Sequence, residues 1–221
     1  MNELDNYIVD NNISISTLSY MKIKRLFDIL FGILGVLALI PISFIILIIN
    51  FLNKDYASIF YTHTRIGKDG KEFKLYKFRS MVPDADEVLK ELLKKKKYKK
   101  EWDKNKKLKN DPRVTKIGGI LRKSSLDELP QVINILKGDM SLVGPRPYLP
   151  REKKDMGKYY NDIVKIKPGL TGYWQVNGRS DVSFKKRLQL EQYYSNNYSL
   201  SLDIKIILKT VKVVLSMNGS E

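Results

Sequence analysis

The chain has 221 residues, 43% hydrophobic and 29% charged, enough for one domain with a core and unlike a disordered, collagenous or many-span membrane protein. With no cysteine and a single histidine, His63, it lacks disulfides, thiolate metal sites and a cysteine nucleophile; carboxylates, Arg, Lys and Tyr must carry any chemistry, and a hard oxygen-bound metal stays open. The net charge of +16 points to an anionic partner, whether nucleic acid, an acidic membrane face or a phosphorylated substrate.

Residues 1–20 are polar and read as a mobile arm. Lys22, Lys24 and Arg25 then precede an apolar run from Leu26 to Leu52, in which Asp28 and Asn50 are the only strongly polar interruptions. A run of this length reads as a membrane segment and is too long for a signal-peptide core. Pro41 falls near its middle, where it removes a helical hydrogen bond, and Ser43 is placed to satisfy freed backbone groups. Two geometries follow over residues 21–53: a kinked spanning helix, or a helix-break-helix hairpin that re-enters on one face. Basic residues on both flanks favour the re-entrant form with both ends cytoplasmic.

Residues 57–81 read as a β-hairpin turning at Lys68-Asp69-Gly70-Lys71. Pro83 to Lys109 reads as one long basic helix with Asp84, Asp86 and Glu87 in its first turn. Between Lys90 and Lys123 lie 15 Lys and Arg against 4 Asp and Glu, a local +11, which reads equally as a solvated helical face. Shorter helices are predicted over Pro130–Leu136 and Phe184–Tyr194. The segment Leu202–Leu215 is amphipathic, with Ile204, Ile207, Leu208, Val211, Val214 and Leu215 on one side and Lys205, Lys209 and Lys212 on the other; it reads as a helix packed on the core or one lying on acidic lipid.

Three segments carry chemistry. In Ser125-Leu-Asp-Glu-Leu-Pro-Gln131, a helix with Pro130 at its first position leaves Asp127 and Glu128 just ahead of a helix N-terminus, where phosphate is favoured. One carboxylate can attack while the other holds a divalent cation; the alternative is that both merely start the helix. Arg146 is confined between Pro145 and Pro147, which pre-positions a guanidinium for a bidentate phosphate contact, or for a loop ion pair. Arg179 follows the Asn177-Gly178 turn, another place where a charged head can be aimed.

These segments, with Lys24-Arg-Leu-Phe-Asp28, Tyr76-Lys-Phe-Arg-Ser-Met81, Lys137-Gly-Asp-Met-Ser141, Gly144-Pro-Arg-Pro147, Lys167-Pro-Gly-Leu-Thr-Gly172 and Gln175-Val-Asn-Gly-Arg179, occur in an order that resembles the bacterial sugar transferases, small monotopic polyprenyl-phosphate phosphoglycosyl transferases. The resemblance implies an α+β, predominantly helical monotopic fold: a re-entrant membrane helix, a β-hairpin, interfacial amphipathic helices, and a catalytic domain over residues 54–221 at the cytoplasmic face of the membrane. It implies transfer of a sugar-1-phosphate from a UDP-sugar to polyprenyl phosphate with release of UMP, the first membrane step in assembling a polysaccharide or glycoconjugate. Carried over residue by residue, Asp127 becomes the nucleophile that forms a covalent phosphosugar intermediate. Glu128 becomes the Mg2+ ligand, and Arg122, Arg146 and Arg179 bind phosphate groups. Partners are then the UDP-sugar, polyprenyl phosphate and membrane lipid, with no nucleic acid; a homo-oligomer is left open. Where the family often has a Ser-Pro pair at the helix break, this chain has Ile40-Pro41. The Gly172-Tyr-Trp-Gln175 and Arg179-Ser-Asp181 segments look more like members that handle a hexose phosphate such as glucose or galactose. The rival readings are a membrane-anchored nucleic-acid-binding protein, resting on net charge alone, and a non-catalytic membrane scaffold.

Overall fold

The computed structural model describes residues 15–105, 108, 110–178 and 182–215. The apolar run folds as one helix, α1, Ile15–Leu52. It begins inside the segment expected to be an arm: Ile15–Tyr20 are helical, and the Tyr20 hydroxyl donates to Asp203 at 2.8 Å. Residues 1–14 of that expected arm lie outside the described residues. The helix also continues through Pro41 as a single element, where the sequence predicts a break. Packing accounts for the difference. Leu39 and Ile46, on either side of Pro41, are buried in one cluster with Ile59, Phe78, Leu121 and Val132, and such burial offsets one lost backbone hydrogen bond.

The inward face of α1 carries Asp28, Gly32, Gly35, Leu39, Ile46 and Asn50, at helical spacing. On the outward face Leu34, Leu37, Ile40, Phe44, Phe51 and Leu52 are each at least 62% exposed. After α1 come β1 (Phe60–Ile66) and β2 (Glu72–Phe78), which form the expected antiparallel hairpin, with Arg65 opposite Phe73 and Tyr61 opposite Lys77. The basic stretch forms two helices, α2 (Ala85–Leu93) and α3 (Lys96–Asn105), where one was expected. The interruption falls at Lys94-Lys95, inside a run of four lysines whose like charges oppose a continuous helix.

Next are α4 (Lys116–Lys123), a 3-10 turn at Leu126–Glu128, α5 (Gln131–Lys137) and β3 (Ser141–Val143). Two short helical turns follow, α6 (Lys153–Met156) and α7 (Tyr160–Ile163), then β4 (Gly169–Thr171), α8 (Tyr173–Asn177), α9 (Phe184–Asn197) and α10 (Leu200–Leu215). Strand β4 pairs in parallel with β3. Among the described residues the fold is therefore mostly helical with two small two-stranded sheets.

The Lys24-Arg-Leu-Phe-Asp28 segment docks α1 on this framework. Lys24 Nζ donates to the Val143 carbonyl at 2.8 Å and pairs with Asp203 on α10. Arg25 donates to the Ile135 and Leu136 carbonyls at 2.6 and 2.8 Å, satisfying the C-terminal end of α5. Buried Asp28 accepts from the Ser141 hydroxyl at 3.0 Å and the Leu142 N–H at 2.7 Å. Further along, a Cβ on Gly35 would lie 2.5 Å from Val132 Cγ1, so α1 and α5 approach too closely for any larger residue there. Past the helix, Asp55 accepts twice from Arg79 at 2.8 and 2.9 Å. The helix is thus tied to one domain at both ends and along its length.

Helix α10 packs on the core through one face. Asp203 and Ile206 face the core, while Ile204, Leu208 and Val211 form a bare apolar stripe beside the exposed Lys205, Lys209 and Lys212.

Candidate active site

The Asp127-Glu128 pair sits in the 3-10 turn between α4 and α5. Pro130 is the N-cap of α5, close to its expected place at the first helical position. Ser125, just before the turn, holds a left-handed backbone (φ 58) that costs a non-glycine residue energy. That conformation reverses the chain out of α4 and aims both carboxylates at the hairpin. Helix α4 packs close to the end of β2: a Cβ on Gly118 would lie 2.0 Å from the Ser80 carbonyl. Its last turn carries Arg122, whose Nε donates to the Ser80 hydroxyl at 2.9 Å. Asn134 of α5 accepts from the Tyr76 N–H at 3.0 Å and donates to the Lys74 carbonyl at 2.7 Å, which fixes β2 against the dyad.

These contacts bring Lys77 between the two carboxylates. Its ammonium lies 2.6 Å from Glu128 Oε1 and 3.6 Å from Asp127 Oδ2. The Asp127 side chain is only 14% exposed. Burial, with the neighbouring Glu128 charge, raises its pKa against the opposing pull of Lys77 and Arg122. For Glu128 burial also acts upward, but Lys77, Arg146 and Arg65 outweigh it and hold the carboxyl below its ordinary value. Two adjacent acids thus differ in character: Asp127 is the more basic carboxylate, Glu128 the more firmly charged one. Replacing Lys77 with Met should move the acid limb of the kcat/KM–pH profile upward by about one unit or more, because the nearest cation that lowers the Asp127 pKa is gone. An acid limb that stays in place would mean that the limb does not report Asp127 as Lys77 perturbs it.

Arg146 lies in the turn after β3. In Pro145-Arg146-Pro147 only Arg146 has a backbone N–H, and it donates to Glu191 Oε1 of α9 at 2.9 Å. The Pro147 carbonyl accepts from Arg65 Nη1 of β1 at 3.2 Å. The Arg146 guanidinium is 5.7 Å from the centre of the Trp174 ring, and Arg187 of α9 is 4.1 Å from the same ring. Fully buried Glu191 has its carboxyl pushed up to about 7 by burial.

Of the residues expected at a site, the structure brings Asp127, Glu128, Arg122 and Arg146 together; Arg179 lies outside the described residues. Lys77, Arg65, Arg187 and Glu191 were not singled out from the sequence. Lys77 and Arg65 had a signal there: strand alternation puts both on the same face as buried Leu75, an unusual place for a cation. Arg187 and Glu191, four residues apart on a helix, read as an ordinary exposed ion pair.

Residues 19–217 match the bacterial sugar transferase family. The chain belongs to that family. Among its relatives, the UDP-galactose-lipid carrier transferase of Erwinia amylovora is 44% identical over 216 residues, covering 96% of this chain and 44% of the relative. The undecaprenyl-phosphate galactose phosphotransferase of Salmonella typhimurium gives the same identity and coverage. The exopolysaccharide production protein ExoY of Sinorhizobium fredii is 44% identical over 199 residues, 89% of this chain and 87% of the relative. The chain thus spans under half of the first two relatives and most of the third.

The donor set suits Mg2+. Among the described residues no three acidic or imidazole side chains cluster, but Mg2+ is commonly held by one or two carboxylates together with substrate phosphates. Glu128, with Asp127 beside it, would offer that pair once the Lys77 ammonium, which now pairs with both carboxylates, gives way.

Proposed function

We propose that the protein transfers a sugar-1-phosphate from a UDP-sugar to polyprenyl phosphate and releases UMP, through a phosphosugar carried on Asp127. The observation that carries this reading is the Asp127 carboxylate, largely buried beside Lys77, within reach of Arg122, and next to Glu128, which feels the Arg65 and Arg146 charges. The names of the Erwinia and Salmonella relatives, a UDP-galactose-lipid carrier transferase and an undecaprenyl-phosphate galactose phosphotransferase, support the substrate classes and a hexose such as galactose. ExoY's name supports a place in polysaccharide assembly.

An Asp127 oxygen attacks the sugar-bearing phosphorus, the bond to the bridging oxygen breaks, and UMP leaves with the electron pair. Polyprenyl phosphate then attacks the same phosphorus, and the carboxylate leaves. No proton moves in either step when the attacking groups are ionised, so the chemistry needs positive charge and alignment in place of a general acid, and a site without histidine suffices. Lys77 and Arg122 favour the ionised form of Asp127 against its burial; Arg146, fixed by Glu191 and by the Arg65 bond to the Pro147 carbonyl, faces the charge that develops on the departing phosphate. Glu128 and the diphosphate oxygens would hold Mg2+, which when bound supplies further charge neutralisation at the phosphoryl oxygens. UMP release from a panel of UDP-sugars, with and without polyprenyl phosphate, tests the reaction: release that needs no UDP-sugar substrate of this class, or none with any of them, contradicts it.

The same reading places the site at the cytoplasmic membrane surface. Leu121, Leu129 and Val132, which flank the dyad, share the core cluster of α1, whose outer face is bare and apolar with an 18-residue window of mean hydropathy 2.9. The docking of α1 to one domain from Lys24 to Asp55 supports this, since a span across a bilayer core of about 30 Å would carry charged protein with it. Single cysteines replacing Ser19 and Ser58 should both be shielded from an impermeant thiol reagent in intact cells and react after lysis. Labelling of the Ser19 position in intact cells would establish a span.

A further inference from the structure

Arg65, Arg146 and Arg187 come from three separate parts of the chain, β1, the turn after β3, and α9, yet they converge. The Arg65 guanidinium holds the carbonyl next to Arg146, and Arg146 and Arg187 share the Trp174 ring. The Nε atom of each is buried and has no hydrogen-bond partner, and none of the three is in an ion pair among the described residues. Burial and the Arg146 charge push Arg65 down to about 10 and lower Arg187 as well. Arginine stays charged in proteins, so three guanidinium groups are held together with Glu191 and Glu152 as opposing charges and with their three Nε donors unused, an arrangement that a further anion would stabilise. One end of the cluster adjoins the dyad, since Glu128 feels both Arg146 and Arg65.

Displacement at phosphorus is in line. In the first step UMP departs on the side of phosphorus opposite Asp127. In the second, the lipid phosphate must enter on the side opposite Asp127, the side UMP has just left. Bridging oxygen included, the phosphate that leaves and the one that enters are both monoester dianions, and the leaving phosphate gains one negative charge as its bond breaks. Asp127 carries no net change over the two steps, so the charge balance is the same in each.

The geometry points to a single phosphate-monoester seat formed by Arg65, Arg146 and Arg187, occupied in turn by the departing nucleotide and the incoming lipid phosphate. It rests on the double displacement at Asp127 proposed above. The Glu191 carboxylate on the Arg146 N–H and the Arg65 guanidinium on the Pro147 carbonyl set Arg146 at the head of the seat, and the Arg187 guanidinium lies 4.1 Å from the centre of the Trp174 ring.

Steady-state kinetics of the full chain in detergent test it. UMP should inhibit competitively against polyprenyl phosphate, because both bind the phosphosugar form of the protein at one place. Arg65→Gln and Arg187→Gln should each raise the polyprenyl-phosphate KM and the UMP inhibition constant by the same factor, about tenfold or more for loss of a charged donor. Arg187→Lys, which keeps the charge without the fork, should lie between wild type and Arg187→Gln in both constants, and it keeps the test usable if Arg187→Gln does not fold. UMP that is not competitive with the lipid phosphate, or variants that move one constant without the other, overturn the shared seat while leaving the double displacement standing. A wild-type protein that forms no phosphosugar adduct from UDP-sugar removes the double displacement, and the shared seat with it.

Discussion

Asp127→Asn should reduce turnover by at least about 10^3-fold, the scale expected when a covalent nucleophile is lost and only binding and charge stabilisation are left. Asparagine keeps the shape of the side chain, and Lys77 keeps its hydrogen bond to Glu128, so the 3-10 turn at Leu126–Glu128 and the packing of α5 on α1 should be preserved. What it lacks is a charged oxygen that can bond to phosphorus. Glu128→Gln is the informative companion. It leaves the nucleophile in place but removes the firmly charged partner of Lys77 and the proposed metal ligand, so its loss should be accompanied by weaker Mg2+ dependence. Thermal unfolding of each variant separates these effects from damage to the fold. An Asp127→Asn enzyme with wild-type turnover would mean that the dyad only begins a helix.

Arg146→Lys should cost about 2–4 kcal/mol in kcat/KM, roughly 30- to 1000-fold, on the scale of removing one preorganised donor to a developing charge. The flanking prolines and the Glu191 bond to its N–H fix the backbone of Arg146, so a lysine in its place starts from the same Cα but offers a point charge where a planar fork is required. Both kcat and kcat/KM should fall, because the charge Arg146 faces is greater in the transition state than in the bound diphosphate. If KM alone changed, Arg146 would be holding substrate and transition state equally.

The sequence is legible where local chemistry decides structure. The hairpin follows from its turn residues and alternation, and the Asp127-Glu128 pair from Pro130 fixing where α5 starts. It is less legible where distant packing decides. Pro41 predicts a break, but Leu39 and Ile46 are held in one cluster by residues 59 to 132, contacts that no local pattern shows. Strands β3 and β4 have three residues each, too few for alternation to stand out, yet they set the turn that presents Arg146. The run of lysines read as one helix because each favours helix singly, while their mutual repulsion divides it. At the site, the two acids stood out by adjacency. The cations that give them their character, Lys77, Arg65 and Arg187, arrive from up to about sixty residues away, and only the strand pair carried any sign of facing inward.

The most direct measurement is the intact mass of the protein after incubation with UDP-sugar and Mg2+ in the absence of polyprenyl phosphate. Wild type should gain the mass of one sugar phosphate, lose it on addition of polyprenyl phosphate, and yield a peptide modified at Asp127; Asp127→Asn should gain nothing. A wild-type protein that releases UMP only when the lipid is present and never carries the added mass would contradict transfer through Asp127.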